Sequence, residues 1–159
     1  AIIQTTGVDV KIKWPNDIIA DGKKVCGILT EMSAEMDAIN HVIVGVGINV
    51  NNDDFPEELM DKSIPLKQIK GQKVNRIELL STLLEIFEHY YIKAEAEGFS
   101  QIFERWRSLC TNLGQKVKIT RKNESFKGTA LDIDESGALL VKTEDGEVIR
   151  VFSGDVSLR

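Results

Sequence analysis

The chain of 159 residues is poor in the side chains that build covalent or metal scaffolds: it has two cysteines, two histidines and three prolines. Cys26 and Cys110 stand far apart, with no CxxC and no Cys/His cluster. That excludes a disulfide framework or a zinc site and points to a reducing compartment. His41 and His89 are separated, each within a regular pattern, so neither a histidine metal site nor a histidine general base is expected. No apolar run approaches the roughly 18 residues of a membrane span, and no basic-then-apolar leader is read. Positive charge is also in deficit, with 20 Lys and Arg against 25 Asp and Glu and a net charge of −5. A general phosphate-backbone binder needs the opposite balance. GxSxG, Walker and GxGxxG motifs are missing, so none of the usual nucleophile or phosphate-loop chemistries is announced. The expectation is a soluble, cytoplasmic protein that makes no membrane contact.

The length accommodates one domain or one and a half. Ala1-Ile2-Ile3-Gln4-Thr5-Thr6-Gly7 reads as the last turns of a helix closed by glycine, from which an upstream part is expected. Val8, Val10 and Ile12 alternate with Asp9, Lys11 and Lys13 as in a half-buried strand, which Trp14-Pro15-Asn16-Asp17 breaks. Residues 18–20 and 24–32 flank Asp21-Gly22, a dipeptide suited to a tight hairpin turn, and predict two antiparallel strands. A polar connector over 33–40 leads to a β-branched run, 41–49, with the pattern of a central strand buried on both faces. Residues 50–74 form a long connection with one helical turn near 56–60.

Asn75 and Glu78 have the spacing of a capping box. Behind them Ile77, Leu80, Leu83, Leu84, Phe87, Tyr90 and Tyr91 mark the apolar face of a helix reaching Gly98. Ser100 is suited to cap a second helix with Ile102, Phe103, Trp106, Leu109 and Cys110 on its apolar face. Beyond Gly114 the pattern turns to short strands at 116–121, 125–131, 138–143 and 147–152. Turns are marked by Asn123-Glu124, by 134–137 and by Glu144-Asp145-Gly146. The pattern is therefore α+β, mostly sheet and then helices, with a boundary near 111–114 and a small SH3-like barrel after it.

Lys13-Trp14-Pro15-Asn16-Asp17 places a cation, an aromatic ring, an amide and a carboxylate within one turn. It suits either a polar ligand, with Asp17 toward a hydroxyl or Mg²⁺, or a rigid turn with a core tryptophan. Lys24 enters an apolar strand with Gly27 three residues on. It can present an ammonium to an anion while the glycine lets a flat ligand lie on backbone, or it is the solvated end of a hairpin. Gly45, Gly47 and Asn49 share one face of a strand and leave room there for a ligand or for a packed helix. Cys26, within a strand, reads as a small core residue.

Taken in order, Lys13-Trp14-Pro15-Asn16-Asp17, Gly22-Lys23-Lys24, Gly27-Ile28-Leu29-Thr30-Glu31, Val44-Gly45-Val46-Gly47-Ile48-Asn49 and Gly154-Asp155-Val156-Ser157-Leu158-Arg159 resemble the bacterial biotin protein ligases. These are biotin–[acetyl-CoA-carboxylase] ligases, of which the BirA type also represses the biotin operon. The resemblance implies an α+β fold with a partial mixed β-sheet and helices over 1–112, the C-terminal half of the family's catalytic fold, followed by its SH3-like terminal barrel over 113–159. It also implies a two-step reaction: biotin's carboxylate attacks the α-phosphate of ATP, and a carrier-protein lysine then attacks the biotinyl-5′-AMP. By the same resemblance Lys24 is the catalytic lysine that contacts the biotin carboxylate, and Gly27 and Gly45 floor the biotin site. Lys13, Asn16, Asp17, Asn49 and Arg159 face ATP or the adenylate, and Asp17 meets Mg²⁺ through the nucleotide. The implied partners are the biotin carboxyl carrier protein of acetyl-CoA carboxylase and a second copy in a homodimer.

The family's Gly-Arg-Gly-Arg segment and the repressors' DNA-binding winged helix belong upstream of the KWPND motif and have no counterpart in these residues. The expectation follows that this chain alone makes no biotinyl-AMP, binds biotin weakly, and meets DNA only through an upstream domain. The rival readings are a non-catalytic module for carrier docking or dimerisation and, more distantly, a lipoate ligase.

Overall fold

The computed structural model describes residues 1–35, 38–121 and 124–158. In chain order the elements are α1 (Ile2–Thr6), β1 (Lys11–Lys13), β2 (Asp17–Ala20), β3 (Lys23–Glu35), β4 (Ala38–Ile48), a 3-10 turn (Glu57–Leu59), α2 (Leu66–Lys70), α3 (Arg76–Glu97), α4 (Ser100–Leu109), β5 (Lys116–Arg121), β6 (Glu124–Ile133), β7 (Leu139–Thr143), β8 (Val148–Val151) and β9 (Asp155–Leu158). The chain divides into two compact units, one of residues 1–10 and 16–84, the other of 11–15 and 85–159. The α+β class holds, with antiparallel ladders throughout the described strands. Parallel pairing is confined to the single bridges Ile12–Cys110 and Lys24–Ser63, so the expected mixed sheet is corrected. Where strands are joined by a short described turn, as β2 to β3 and β7 to β8, the reason is local, since a hairpin pairs its arms antiparallel.

In the first unit Asp21 and Gly22 take φ of 50° and 75°, the left-handed pair that a two-residue hairpin requires. β2 pairs with β3, and β3 with β4 through Cys26↔Ile48, Gly27↔Gly47 and Leu29↔Gly45. The strands continue to Glu35 and from Ala38, so the expected 33–40 connector is mostly ladder. Ile2, Val8, Val25, Val50, Leu66 and Val74 belong to one buried cluster. Full burial of a side chain such as Leu66 contributes about 1.5–3 kcal/mol. That burial explains α2, which lies within the expected long connection 50–74. Five residues are too few to show a helical period, and Leu66 is the only one of them buried.

Two expected apolar faces point outward. β4 is not buried on both faces: Val42, Ile43, Val44 and Val46 are 40–55% exposed. β4 is the terminal strand of its sheet, and no described element covers it. In α3 Asn75 caps as expected, its Oδ1 accepting from the Ile77 and Glu78 amides. Leu79 is the buried residue of that helix, whereas Ile77, Leu80, Leu84 and Phe87 are exposed.

In the second unit β5 to β9 form a five-stranded antiparallel sheet of order β8-β7-β6-β5-β9. The Asn123 turn expectation lies outside the described residues. Strand β9 had not been marked by alternation. α4 begins at Ser100 with Phe99 at the cap position, which corrects the capping role expected of Ser100. Phe103 and Trp106 pack against a core containing Trp14, Ile119, Leu139, Val141 and Val151. At Gly128 a Cβ would meet the Lys142 carbonyl oxygen and Val141 Cγ1 at 2.5 Å, so β6 and β7 pack as they do only with glycine there.

The segment 11–15 is fastened from within this unit. The Thr111 amide donates to the Ile12 carbonyl at 2.9 Å, and the Trp14 amide donates to Asn112 Oδ1 at 2.7 Å. The Trp14 indole N–H donates to the Gly137 carbonyl at 3.3 Å. Asn112 is fully buried, so Asn112→Ala leaves the Trp14 amide without its acceptor. The expected cost is about 1–3 kcal/mol, to be read from urea unfolding.

Asp134 ties the turn before β7. Its carboxylate accepts from the Ser136 hydroxyl at 2.6 Å, the Ser136 amide at 2.8 Å, the Ala138 amide at 3.1 Å and Arg150 Nε at 2.6 Å. The Ser136 hydroxyl above all, with these other donors, lowers its pKa from 3.8 to about 2. A depressed carboxyl pKa contributes stability above the unfolded value that is lost as pH falls through the folded one. The acid side of the stability profile should therefore lose a step between pH 3.8 and about 2 that Asp134→Asn lacks, measured as unfolding midpoint against pH.

Candidate functional site

The chemistry of the first unit concentrates where β2 meets β3. Asp17 pairs with Gly27 and Ile18 with Cys26, after which the register slips and Ile19 pairs with Lys24. This is a β-bulge, one extra residue on β3. Strict alternation sends residues three apart to opposite faces of a strand. The extra residue reverses the parity, so Lys24 joins Asp17 and Gly27 on one face. Lys24 Nζ lies 2.5 Å from Asp17 Oδ1, with the two side chains 42% and 23% exposed. A Cβ at Gly27 would come within 2.8 Å of Lys24 Cε and Nζ and 3.9 Å of Asp17 Oδ1. Glycine is what allows the ammonium to lie flat across the strand toward the carboxylate.

The backbone of Lys24 is fixed from two directions. Its amide donates to the Lys62 carbonyl at 2.8 Å and its carbonyl accepts from the Ile64 amide at 3.0 Å. Asn49 Nδ2 also donates to that carbonyl, at 3.3 Å, while the Asn49 amide donates to Val25 O. Asn16 anchors the preceding turn: its Nδ2 donates to the Ile28 carbonyl at 2.9 Å and its own carbonyl accepts from the Ile28 amide at 2.9 Å. The 62–64 segment was not singled out from sequence. It acts through peptide groups, which every residue carries, so no side-chain signal could have marked it.

Gly45 and Gly47 pair with Leu29 and Gly27 and share the face of Asp17. Cβ atoms there would meet only ladder carbonyls, at 3.6 and 3.8 Å. Of the two readings the glycines left open, a packed helix is therefore not what fills this space among the described residues. The result is a patch of sheet in which Gly27, Gly45 and Gly47 leave backbone open, bordered by the Leu29 side chain and by the Lys24 ammonium.

Of the sequence-predicted residues, Asp17, Lys24, Gly27 and Gly45 share this face, and Asn16 and Asn49 brace it. Lys13 belongs to the second unit, and Arg159 lies outside the described residues. Cys26 is buried, and that burial pushes its thiol to about 11, which makes it an inert core residue rather than a nucleophile. Among the described residues no three His, Cys, Asp or Glu side chains are grouped to hold a metal, and no helix is long and apolar enough to cross a membrane.

Comparison with known proteins accounts for both units. The family "Biotin/lipoate A/B protein ligase family" matches residues 2–49, and "Biotin protein ligase C terminal domain" matches 113–159. The bifunctional ligase/repressor BirA of Bacillus spizizenii is 42% identical over 154 residues, which are 96% of this chain and 47% of the relative. The chain thus spans about half the length of the curated relatives it matches. Among solved structures, the apo biotin protein ligase of Aquifex aeolicus superposes with a TM-score of 0.85 at 32% identity, covering 99% of this chain and 68% of that one. The same ligase in complex with biotin and ATP gives 0.82 at 31% identity, covering 99% and 65%. With the likeness running through both sheets and through two-thirds of the Aquifex chain, this chain belongs to the biotin protein ligase family.

Proposed function

We propose that this chain carries the lysine-bearing part of an ATP-dependent biotin protein ligase. The carrying observation is Lys24, an ammonium set by a bulge against Asp17 beside the open backbone of Gly27, Gly45 and Gly47. The planar ureido ring of biotin can lie against the backbone at Gly27 and Gly45, and the valerate carboxylate replaces Asp17 as the partner of Lys24. Exchange of one carboxylate for another is inexpensive at a half-exposed pair, whose own attraction is about 1 kcal/mol or less.

In the first step the biotin carboxylate attacks the α-phosphorus of ATP and pyrophosphate leaves, giving biotinyl-5′-AMP. Two anions must meet, so Lys24 screens the nucleophile and holds its oxygen in place. In the second step an acceptor lysine, arriving as a free amine, attacks the acyl carbon and AMP leaves. Lys24, still at the acyl oxygen, stabilises the charge that develops there. Asn16, Asp17 and Asn49 face the nucleotide in this reading, with Lys13 and Arg159 as its outer contacts. Mg²⁺ supplies charge neutralisation on the phosphates. Asp17 is a single carboxylate already facing an ammonium, so its donor set fits an ion carried in on the nucleotide rather than one held by protein alone.

We read residues 1–112 as catalytic domain and 113–159 as the terminal domain, an SH3-like barrel whose five antiparallel strands and matching family range support the assignment. The acceptor is the biotin carboxyl carrier protein of acetyl-CoA carboxylase, the compartment is the cytoplasm, and the enzyme acts as a homodimer. The BirA names of the relatives support a repressor role through a DNA-binding domain upstream of these residues.

Calorimetric titration of biotin tests the assignment, in the protein translated from the whole reading frame that contains these residues. Lys24→Glu sets two like charges together, and affinity should fall by about 30-fold or more, equivalent to ~2 kcal/mol. An unchanged affinity would overturn the role of Lys24. Gly27→Ala should also weaken biotin binding, because the new methyl displaces the ammonium. Its unfolding free energy should change by less than about 1 kcal/mol, since the displaced group is the free end of a flexible chain.

A further inference from the structure

The outer face of the terminal sheet concentrates one sign of charge. Ladder register puts Ser157, Lys118 and Lys127 in one row across β9, β5 and β6. The next row runs Lys116, Thr129, Lys142 and Val148 across β5, β6, β7 and β8. Alternation along β5 sends Val117 and Ile119 into the core and its lysines outward. Lys116, Lys127 and Lys142 are exposed and Lys118 is half-buried. Neither row contains an acidic residue. Among the described residues the ion pairs of this unit are Arg107–Asp132 and Arg150–Asp134, so none of the four lysines is neutralised by one.

The arrangement works against the fold. Lys118 and Lys127 are directly opposed, and like charges in that relation destabilise a ladder. Residues 113–159 hold eight basic and eight acidic side chains, so acids were at hand to relieve it. Instead Glu135, Glu144, Asp145 and Glu147 lie in the turns on either side of β7.

We propose that this face is a docking surface for double-stranded DNA, held by its phosphates without regard to sequence. Lysines interleaved with hydroxyls are the groups that contact phosphate oxygens. The core of a protein–protein interface is instead depleted in lysine and built on aromatic anchors, and the strand positions of this face carry no aromatic residue. The Phe152 ring, beyond β8, is already engaged by the Arg150 guanidinium, 5.1 Å from its centre. Single-stranded nucleic acid needs aromatic platforms for its bases, whereas a duplex offers its backbone. The quartet spans about 10 Å across the strands and about 7 Å along them. Over about 10 Å of axis a duplex carries roughly three phosphates on each strand. The chain's net charge of −5 opposes this little, because charges beyond a Debye length, about 10 Å at 0.1 M salt, are screened. DNA is preferred to duplex RNA on the repressor role proposed above, and to that extent alone the inference rests on that reading.

The test is lysine footprinting by acetylation and mass spectrometry, in the protein translated from the whole reading frame, with a short DNA duplex of arbitrary sequence at low salt. Acetylation of Lys116, Lys118, Lys127 and Lys142 should slow at least threefold, and that of Lys73 and Lys93, which lie off this face, should not. Lys118→Gln combined with Lys127→Gln should make the slope of log affinity against log salt shallower by about 1.8, two phosphate contacts' worth. The pair Lys73→Gln and Lys93→Gln, equal in charge change, should leave it unaltered. The first double variant removes an opposed pair of like charges, so its unfolding midpoint should not fall. Unprotected lysines, or an unchanged slope, would overturn the lysine face itself. Equal protection by a single strand or by poly-glutamate would overturn the duplex as its partner. Stronger protection by duplex RNA would overturn the choice of DNA, and with it the link to the repressor reading.

Discussion

One extra residue in a β-ladder determines the geometry on which the first unit's chemistry depends. Without the slip between Ile18 and Ile19, Lys24 would point away from Asp17 and Gly27, and the sheet would carry its cation on one face and its bare glycines on the other. The slip is held in place because both peptide groups of Lys24 are engaged, one by Lys62 and the other by Ile64 and Asn49. The fixed quantity is backbone, and the mobile one is the last two atoms of a lysine. That division suits the carboxylate exchange proposed for Lys24, which would reorganise a side-chain terminus and leave the ladder intact.

The KWPND segment is divided in the same economical way. Lys13, Trp14 and Pro15 belong to the second unit and Asn16 and Asp17 to the first. Trp14 is a core residue held by Asn112 and Gly137, while Asp17 is half-exposed and faces the Lys24 ammonium. Of the two readings that composition left open, the rigid turn with a buried tryptophan describes Trp14, and the polar ligand loop belongs to the proposal for Asn16 and Asp17. A motif this dense is constrained twice over, which explains how five residues can carry so much of a family resemblance.

What was legible in the sequence was whatever depended on neighbours along the chain. Asp21-Gly22 announced its hairpin through the φ angles it tolerates, Asn75 announced the start of α3, and the strands beyond Gly114 were read from turns and alternation. The grouping of Lys24, Gly27, Gly45 and Asp17 came from resemblance, and the bulge that makes it physically possible left no mark in the residue types. Burial was read less well. The apolar pattern of β4 and the outward row of α3 record what a strand or helix is suited to pack against, whereas exposure records what is packed there among the described residues. α2 escaped notice for the converse reason, being too short for a period and buried through one leucine.

The placement of aromatic side chains has an optical consequence. Both tryptophans of the chain, Trp14 and Trp106, lie in or against the core of the second unit, and the first unit has none. Intrinsic tryptophan emission thus comes from the second unit, and a melting curve followed by fluorescence alone would be weighted toward its terminal sheet and clamp.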